Sequence, residues 1–275
     1  MASFSLSLTP QEVLHGHTWE APNAKAVLAL VHGHGDHIQR YDLLAESLSS
    51  QGIAVVGMDW LGHGKSSGKR GHFPRADQPL DSLAALLAHA KSQYPDLPLF
   101  LMGHSMGGNL VANFVLKRKP ALAGVILSSP WFRLAFQPSA FDLFLAKTMY
   151  NIWPSFTQSS KLDAKGISRI SSEVTRYQAD ELIHDSVSPG LYMAVTQGGE
   201  YALKNASDWT LPLLTYHGSA DPITSSEASQ EFVDAAGGSD LSFHSFEGAF
   251  HEVHHDEQRE DVHQLVAGWI LERLG

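Results

Sequence analysis

The chain has 275 residues, of which 43% are hydrophobic and 17% charged, which fits one large α/β domain with an insertion or two small domains. Its formal net charge of -10 argues against nucleic acid or a strongly anionic membrane as the main partner, because both would repel an acidic surface. The lack of cysteine excludes disulfides, thiolate chemistry and cysteine-bound zinc. Residues 1–10 carry no basic leader and no apolar run reaches spanning length, so the expected location is the cytoplasm.

Apolar runs typical of buried strands alternate with amphipathic helical patterns along the first half of the chain. An edge hairpin is predicted over 4–8 and 13–19, followed by strands at 26–31, 53–58, 97–102 and 125–127, with helices between them around 41–48, 80–94 and 110–117. This alternation predicts a mostly parallel sheet covered by helices on both faces.

The alternation stops between residues 130 and 209 and resumes with the strand 211–216. A helix around 228–235, a strand at 241–246 and a final helix through 262–270 complete the pattern. A gap of 80 residues must have structure of its own. The predicted organisation is a core domain of residues 1–129 and 210–275, with residues 130–209 inserted as a cap or lid.

The segment Gly103-His104-Ser105-Met106-Gly107 has the G-x-S-x-G pattern of a nucleophile elbow. In such an elbow a strained serine lies between a strand and a helix, and glycine is needed on both sides because a β-carbon would collide with neighbouring backbone. A strand pattern precedes this segment and a helical pattern follows it. Ser105 is therefore the predicted nucleophile.

A serine hydroxyl needs a base to take its proton and a carboxylate to orient that base. Asp221 follows the strand 211–216 and His251 follows the strand 241–246, which matches the order Ser, Asp, His of an α/β hydrolase. The oxyanion of the tetrahedral intermediate requires two backbone N–H donors. Met106, and His34 in the loop after the strand 26–31, are predicted to supply them.

Two metal sites compete with this interpretation. His32, His34 and His37 are close in sequence, but no carboxylate or cysteine completes them at a familiar spacing. Residues 251–255 match H-E-x-x-H, yet that zinc motif requires a helix, and here it follows a strand and a turn with no clear third ligand. Neither a metal nor a cofactor is expected.

Five stretches together make the chain resemble the α/β-hydrolase superfamily, and within it the monoacylglycerol lipase and lysophospholipase group of serine hydrolases. They are His32-Gly33-His34-Gly35-Asp36-His37, Asp59 with Gly62-His63-Gly64-Lys65-Ser66, Gly103 to Gly108, Gly218-Ser219-Ala220-Asp221 and Glu247-Gly248-Ala249-Phe250-His251. The resemblance implies a flexible apolar cap. It also implies polar groups that hold a glycerol head, at Asp36, Arg40, Tyr177 and His254.

The inserted segment itself is rich in aromatic residues. Eight of the 26 aromatic residues of the chain lie within the 31 positions from Trp131 to Lys161, and at least half of them are expected to form the core of the segment. The remainder suit a lid over an apolar tunnel. With Arg133, Lys147 and Lys161 against Asp142, the stretch is locally basic and could touch a membrane or micelle surface transiently, so a peripheral position at a lipid surface is a second expected location.

The sequence thus predicts a serine carboxylic ester hydrolase that cleaves single-chain lipid esters, above all monoacylglycerol to glycerol and fatty acid. An aminopeptidase of the same fold is the nearest alternative, since Glu173, Asp180 and Glu181 could hold a substrate amine. A non-catalytic ligand receptor on this fold is a third, although such proteins tend to lose a member of the triad and none is lost here.

Overall fold

The computed structural model describes residues 2–274. The strands are β1 (Ala2–Ser7), β2 (Val13–Trp19), β3 (Ala26–Val31), β4 (Ile53–Met58), β5 (Leu99–His104), β6 (Gly124–Ser128), β7 (Gln158–Ser159), β8 (Ser186–Val187), β9 (Leu213–Gly218) and β10 (Leu241–Phe246). The α-helices are α1 (Asp42–Ser50), α2 (Gln78–Gln93), α3 (Met106–Arg118), α4 (Ala140–Ile152), α5 (Ser171–Ala179), α6 (Pro189–Lys204), α7 (Ser226–Ala235) and α8 (Arg259–Leu271).

Eight of these strands form one sheet in the order β1-β2-β4-β3-β5-β6-β9-β10. The predicted hairpin of β1 and β2 joins the edge of the sheet antiparallel to β4, and the other neighbours pair parallel. In β3 and β4 every residue is buried, as expected for parallel strands covered on both sides. The predicted α/β fold with a mostly parallel sheet is confirmed.

Helices cover both faces of this sheet. One apolar layer contains side chains of α2, α3, α6 and α7, and the other contains side chains of α1 and α8. Because the carboxyl ends of parallel strands meet at one edge, the loops after β3, β5, β9 and β10 lie on the same side of the molecule. These are the loops that carry the predicted site residues.

The segment between β6 and β9 contains α4, β7, α5, β8 and α6. Its last helix, α6, packs on α3, where Asn109 Nδ2 donates to the carbonyl of Val195 at 2.9 Å and Asn113 Nδ2 to that of Gly198 at 2.9 Å. The predicted division into a core and a cap at 130–209 stays a prediction, and its outer ends, Met1 and Gly275, lie outside the described residues.

The inserted segment is also attached to two loops of the sheet. His184 N donates to the carbonyl of Gly35 at 3.0 Å, and Ser188 N donates to that of Gly71 at 2.9 Å. Gly71 has φ of +67°, and a β-carbon there would lie 1.8 Å from the carbonyl oxygen of Ser186. Backbone therefore meets backbone directly along this line of contact, with no room for a side chain.

The aromatic residues at the start of the inserted segment are mostly exposed, which corrects the expectation that at least half of them form its core. Of the eight, only Phe132 is buried and Trp131 is partly buried. The exposed six are Phe136, Phe141, Phe144, Tyr150, Trp153 and Phe156. The physical reason is that α4 has no fully buried residue: Leu143, Ala146 and Met149 are only partly covered, and the phenyl rings of the helix stay exposed.

Among residues 2–274, no helix combines the length and the apolar character required to cross a bilayer.

Candidate active site

Ser105 lies on a sharp turn between β5 and α3. Its φ of 55° and ψ of -120° are strained for a residue other than glycine, and the turn is held by its N–H, which donates to the carbonyl of Ser128 at 2.9 Å. A β-carbon at Gly107 would lie 2.5 Å from the carbonyl oxygen of His32, so the predicted requirement for glycine has a direct cause. The turn is thus built as an elbow.

His251 and Asp221 are in direct contact although they are 30 residues apart. Nδ1 of His251 lies 2.7 Å from Oδ2 of Asp221, and both side chains are buried. A carboxylate only accepts hydrogen bonds, so Nδ1 carries the proton and Nε2 is left as the basic nitrogen. The structure therefore brings together two of the three predicted triad members, in the arrangement that a base and its orienting acid would require.

Electrostatics in this pair favour a charged aspartate. Burial alone would raise the pKa of Asp221, but contacts with His251 and His217 hold it well below its ordinary value. Burial alone would lower the pKa of His251, yet the Asp221 carboxylate raises it above its ordinary value of 6.5. The imidazolium form that arises when a base accepts a proton is accordingly stabilised.

Ser105 and His251 line the same cavity, but no hydrogen bond joins their side chains in the part of the chain that the structure describes. Catalytic hydrogen bonds are often long without a substrate and tighten when one is bound. The assignment of Ser105, Asp221 and His251 as a catalytic triad stays a prediction.

The predicted oxyanion donors lie on either side of Ser105. Met106 is the first residue of α3, so its N–H has no carbonyl partner within the helix. On the other side, a β-carbon at Gly33 would lie 3.1 Å from that of Ser105, and the adjacent His34 lines the cavity. Burial, with the neighbouring His184 and His32, lowers the pKa of His34 to about 3, so its ring is neutral at pH 7.

The four predicted head-group residues divide into two pairs. Asp36 and Tyr177 line the cavity, whereas Arg40 and His254 lie behind its wall. Arg40 is held by both oxygens of Glu252, at 2.8 and 2.5 Å, and by Asp36 at 3.0 Å. These bonds engage both terminal nitrogens of the guanidinium and disfavour a substrate contact for Arg40, which stays a prediction.

His254 is 1% exposed and its ring is stacked on Tyr41 at a centroid distance of 4.8 Å. Burial lowers its pKa well below the ordinary value, so the ring is a neutral packing element. This position disfavours contact of His254 with a substrate head, and that contact stays a prediction.

Glu252 is a cavity-lining residue that the sequence did not reveal. The H-E-x-x-H match that contains it forms a short 3-10 turn at Val253–His255 instead of an α-helix. Glu252 directly precedes this turn and binds His255 at its end and Arg40 in the loop after β3. Burial would raise the pKa of Glu252, but Arg40 holds it well below the ordinary value, so the residue is a buried carboxylate.

A cavity of about 830 Å³ extends from Ser105 into the inserted segment. Its floor contains Ser105, His251, His34 and Glu252, and the remaining wall is largely apolar. The apolar side chains come mainly from the inserted segment: Phe136, Leu145, Ala146, Met149, Phe156, Leu162, Ile167 and Tyr192. The cavity thus joins a polar reaction floor to an apolar compartment of a size typical for a small-molecule site.

The sheet, the elbow and the contact of histidine with aspartate define this chain as an α/β hydrolase. Residues 22–258 match the family described as "Serine aminopeptidase, S33", and the chain belongs to that family. The chain is accordingly a hydrolase.

Comparisons with individual proteins place monoacylglycerol lipases among its relatives. The crystal structure of Paleococcus ferrophilus monoacylglycerol lipase superposes with a TM-score of 0.87 at 34% identity and covers 94% of this chain and 99% of that one. The monoglyceride lipase of Rattus norvegicus is 30% identical over 91% of this chain and 84% of its own length. An abhydrolase domain-containing protein of Dictyostelium discoideum is 34% identical over 98% of this chain, which spans only 29% of that protein.

Proposed function

We propose that the protein is a serine carboxylic ester hydrolase that cleaves single-chain lipid esters, in the first place monoacylglycerol to glycerol and fatty acid. The observation that carries this proposal is the cavity, in which Ser105 and His251 stand at the end of a largely apolar compartment. The similarity to lipases that are named for monoacylglycerol supports the same substrate class.

In the proposed acylation step, Ser105 Oγ attacks the ester carbonyl carbon while Nε2 of His251 takes its proton. The oxyanion of the tetrahedral intermediate accepts hydrogen bonds from the backbone N–H groups of Met106 and His34. Asp221 stabilises the His251 imidazolium across their 2.7 Å contact. The imidazolium then donates its proton to the leaving alkoxide oxygen, the C–O bond breaks, and glycerol departs from an acyl-serine.

Deacylation repeats these roles with water. His251 takes a proton from water as its oxygen attacks the acyl carbon, and the new intermediate is held by the same two N–H groups. Collapse breaks the bond to Ser105 Oγ, which recovers its proton from His251. The balance of both steps is ester plus water to fatty acid plus alcohol, with the enzyme regenerated.

The composition of the cavity wall supports a substrate with one acyl chain and a small polar head. An acyl chain would be buried among side chains such as Leu145, Met149 and Ile167. Near the floor, Asp36 and Tyr177 offer polar groups to a hydroxylated head. A triacylglycerol would have to place two further chains outside a compartment of this size, so its turnover is expected to be much lower.

Residues 130–209 are proposed to act as the cap over this compartment and to touch a lipid surface transiently. Phe141, Phe144 and Trp153 are exposed, and the side chains of Lys147 and Lys161 in the same segment are exposed as well. Arg133, by contrast, is bound to Glu231 at 2.6 and 2.9 Å and is not free for anionic head groups. Such a surface suits insertion of a few rings without a permanent anchor.

The contacts of the acidic residues in the inserted segment disfavour an aminopeptidase. Asp180 is engaged with His37 at 2.8 Å, and Glu173 with Arg176 at 2.6 Å. Neither of these, nor the exposed Glu181, lines the cavity. A carboxylate that recognises a substrate amine would need to face the floor near Ser105. Asp36 and Glu252 do line the cavity, but each is already bound to Arg40.

The proposal is tested with esters of one glycerol and an acyl chain of increasing length, beside triacylglycerol and an aminoacyl amide. We expect monoacylglycerol to be turned over far faster than the other two classes, and a fluorophosphonate to label Ser105. Preferred cleavage of the amide, or equal rates on mono- and triacylglycerol, would contradict the substrate class. Full activity of Ser105→Ala would contradict the mechanism.

A further inference from the structure

Asp221 is contacted by a second buried histidine, which the proposed mechanism does not use. Nε2 of His217 lies 2.9 Å from Oδ2 of Asp221, the same oxygen that His251 reaches at 2.7 Å. The Thr224 hydroxyl lies 2.8 Å from this oxygen as well. Three donors therefore converge on one carboxylate oxygen.

The other carboxylate oxygen of Asp221 is held by backbone. Oδ1 accepts hydrogen bonds from the N–H groups of Ile223 at 2.7 Å and Thr224 at 3.1 Å. These bonds fix the carboxylate to its own loop, whereas the bond from His217 ties it to β9. The position of Oδ2 thus depends on groups outside that loop.

The contacts of His217 define its tautomer. A carboxylate cannot donate, so Nε2 carries the proton toward Asp221, and Nδ1 of a neutral ring is then an acceptor. The hydroxyl of Ser229, 2.8 Å away on α7, can donate to that nitrogen. His217, Thr224 and Ser229 are all 0% exposed, so water does not compete for these bonds.

We propose that His217 is a positioning residue of the active site: with Thr224 it holds Oδ2 of Asp221 where His251 Nδ1 donates to it, and Ser229 keeps its ring in the required tautomer. This inference rests on the proposed roles of Asp221 and His251. It adds a residue that touches neither the substrate nor the reacting atoms.

The bond from His217 also moderates the base. A donor to Oδ2 withdraws part of its negative charge, so removal of that donor leaves more charge facing His251 and stabilises the imidazolium. The acid limb of the pH profile then moves to higher pH. The other titratable groups that face His251 are Glu252, Asp36 and His104. All three are still present when residue 217 is substituted.

The test is the pH dependence of kcat and kcat/KM on a soluble short-chain ester for the full chain and its variants. For His217→Ala we expect kcat to fall about tenfold to a hundredfold, with little change in KM, because the base is misplaced but substrate binding is not. The acid midpoint of kcat/KM should rise by about half a pH unit. His217→Gln, which retains an N–H donor, should recover most of both changes.

Two further variants make the result decisive. Ser229→Ala removes the hydroxyl that donates to Nδ1 of His217, so it should lower kcat by a smaller factor. This variant tests the inference if His217→Ala does not fold. His263→Gln alters another buried histidine, on α8, and should leave the profile unchanged. A folded His217→Ala with wild-type kcat, or with a midpoint that stays or falls, overturns the inference.

Failure of the inference is separable from failure of the proposed function by means of Asp221→Asn. If Asp221→Asn is severely impaired while His217→Ala and Ser229→Ala behave as wild type, only the role of His217 is wrong. If Asp221→Asn retains wild-type activity, the proposed mechanism is wrong and the inference falls with it.

Discussion

Two helices of equal length, α3 and α4, have opposite environments. Each has 13 residues and each follows a serine at its N-cap, Ser105 before α3 and Ser139 before α4. In α3 every residue from Met106 to Leu116 is buried, whereas α4 has no buried residue despite its apolar side chains. Phe141 and Phe144 of α4 are 70% and 66% exposed.

The difference shows that apolar composition alone does not decide where a helix lies. Asn109 and Asn113 are polar, yet they are buried in α3 because their side-chain amides bond to α6. The phenyl rings of Phe141 and Phe144 cannot form such hydrogen bonds, and they are mostly exposed. An exposed apolar helix beside a cavity is typical of a surface that contacts lipid or substrate. The following predictions test this contrast.

The largest expected effect concerns the serines at the N-termini of the two helices, Ser105 and Ser139. Ser105→Ala should lower kcat on a soluble short-chain ester by at least about a thousandfold, because it removes the proposed nucleophile while the fold is retained. Ser139→Ala removes two exposed hydrogen bonds, one accepted from Asp142 N at 3.1 Å and one donated to Asp142 Oδ2 at 2.6 Å, and should leave that activity intact. Steady-state rates and circular dichroism of both variants measure the difference.

The serine contrast has a clear contrary result. If excess chelator abolished activity while Ser105→Ala kept it, a metal-dependent mechanism would replace the proposed one.

The second prediction compares asparagines. Asn109 Nδ2 donates to the carbonyls of Trp131 at 2.7 Å and Val195 at 2.9 Å in a buried setting, so Asn109→Ala should lower the free energy of unfolding by about 2 kcal/mol or more. Asn151→Ala, on α4, removes an exposed bond to the carbonyl of Lys147 and should change it by less than about 0.5 kcal/mol. Urea denaturation of both variants measures this.

Equal losses for the two asparagine variants would show that α4 is packed in solution as firmly as α3. The contrast between the two helices would then not describe the free protein.

A third, smaller effect concerns the exposed rings. Replacing Phe141 and Phe144 by serine should lower activity on dispersed long-chain monoacylglycerol by about tenfold, because each ring no longer buries apolar area in the lipid. Activity on a soluble short-chain ester should change little. Leu43→Ser, at a residue that is 42% exposed on α1, is the matched control and should affect neither substrate.

Equal losses on the two substrates would mean that the rings shape the cavity rather than contact lipid. Unchanged activity on both substrates would show that the exposed rings of α4 have no role in the activity.

The smallest effect is in the pH profile. His251 must be neutral to act as a base, and Asp221 raises its pKa above 6.5, so kcat/KM should rise with pH through a midpoint above about 6.5. The double serine variant of Phe141 and Phe144 should keep this midpoint, since it changes none of the charged groups that shift the pKa of His251. A flat profile between about pH 5 and 8 would contradict the role of His251.

The fold could be predicted because its signals are local. Each buried strand of the sheet is a short apolar run, and the helices between strands repeat apolar residues at helical spacing, so bounds such as Ala26–Val31 and Ile53–Met58 follow from the sequence. The contact of Asp221 with His251 also followed from position, because both residues come directly after parallel strands.

The remainder of the site depends on contacts that no local pattern records. Glu252 binds Arg40, which lies 212 positions away, and a sequence alone does not show that this pair engages the guanidinium. His217 lies within the strand β9, and the strand pattern does not show that its side chain contacts Asp221. The exposure of the aromatic residues of α4 was missed because a cluster of large apolar side chains usually indicates a core.

The line of contact at Gly71 limits how this enzyme can be re-engineered. A segment taken from a relative could replace residues 130–209 only if its backbone follows the path of Ser186 and Ser188. The backbone at Gly71 contacts this path directly, and there is no side chain between them that could change its conformation to accept another path. The backbone contact at Gly71 thus fixes where any replacement segment must meet the sheet loops. Substrate range in chimaeras should therefore be varied within 134–162, where α4 lies, while the stretch 184–190 is kept as a constant joint.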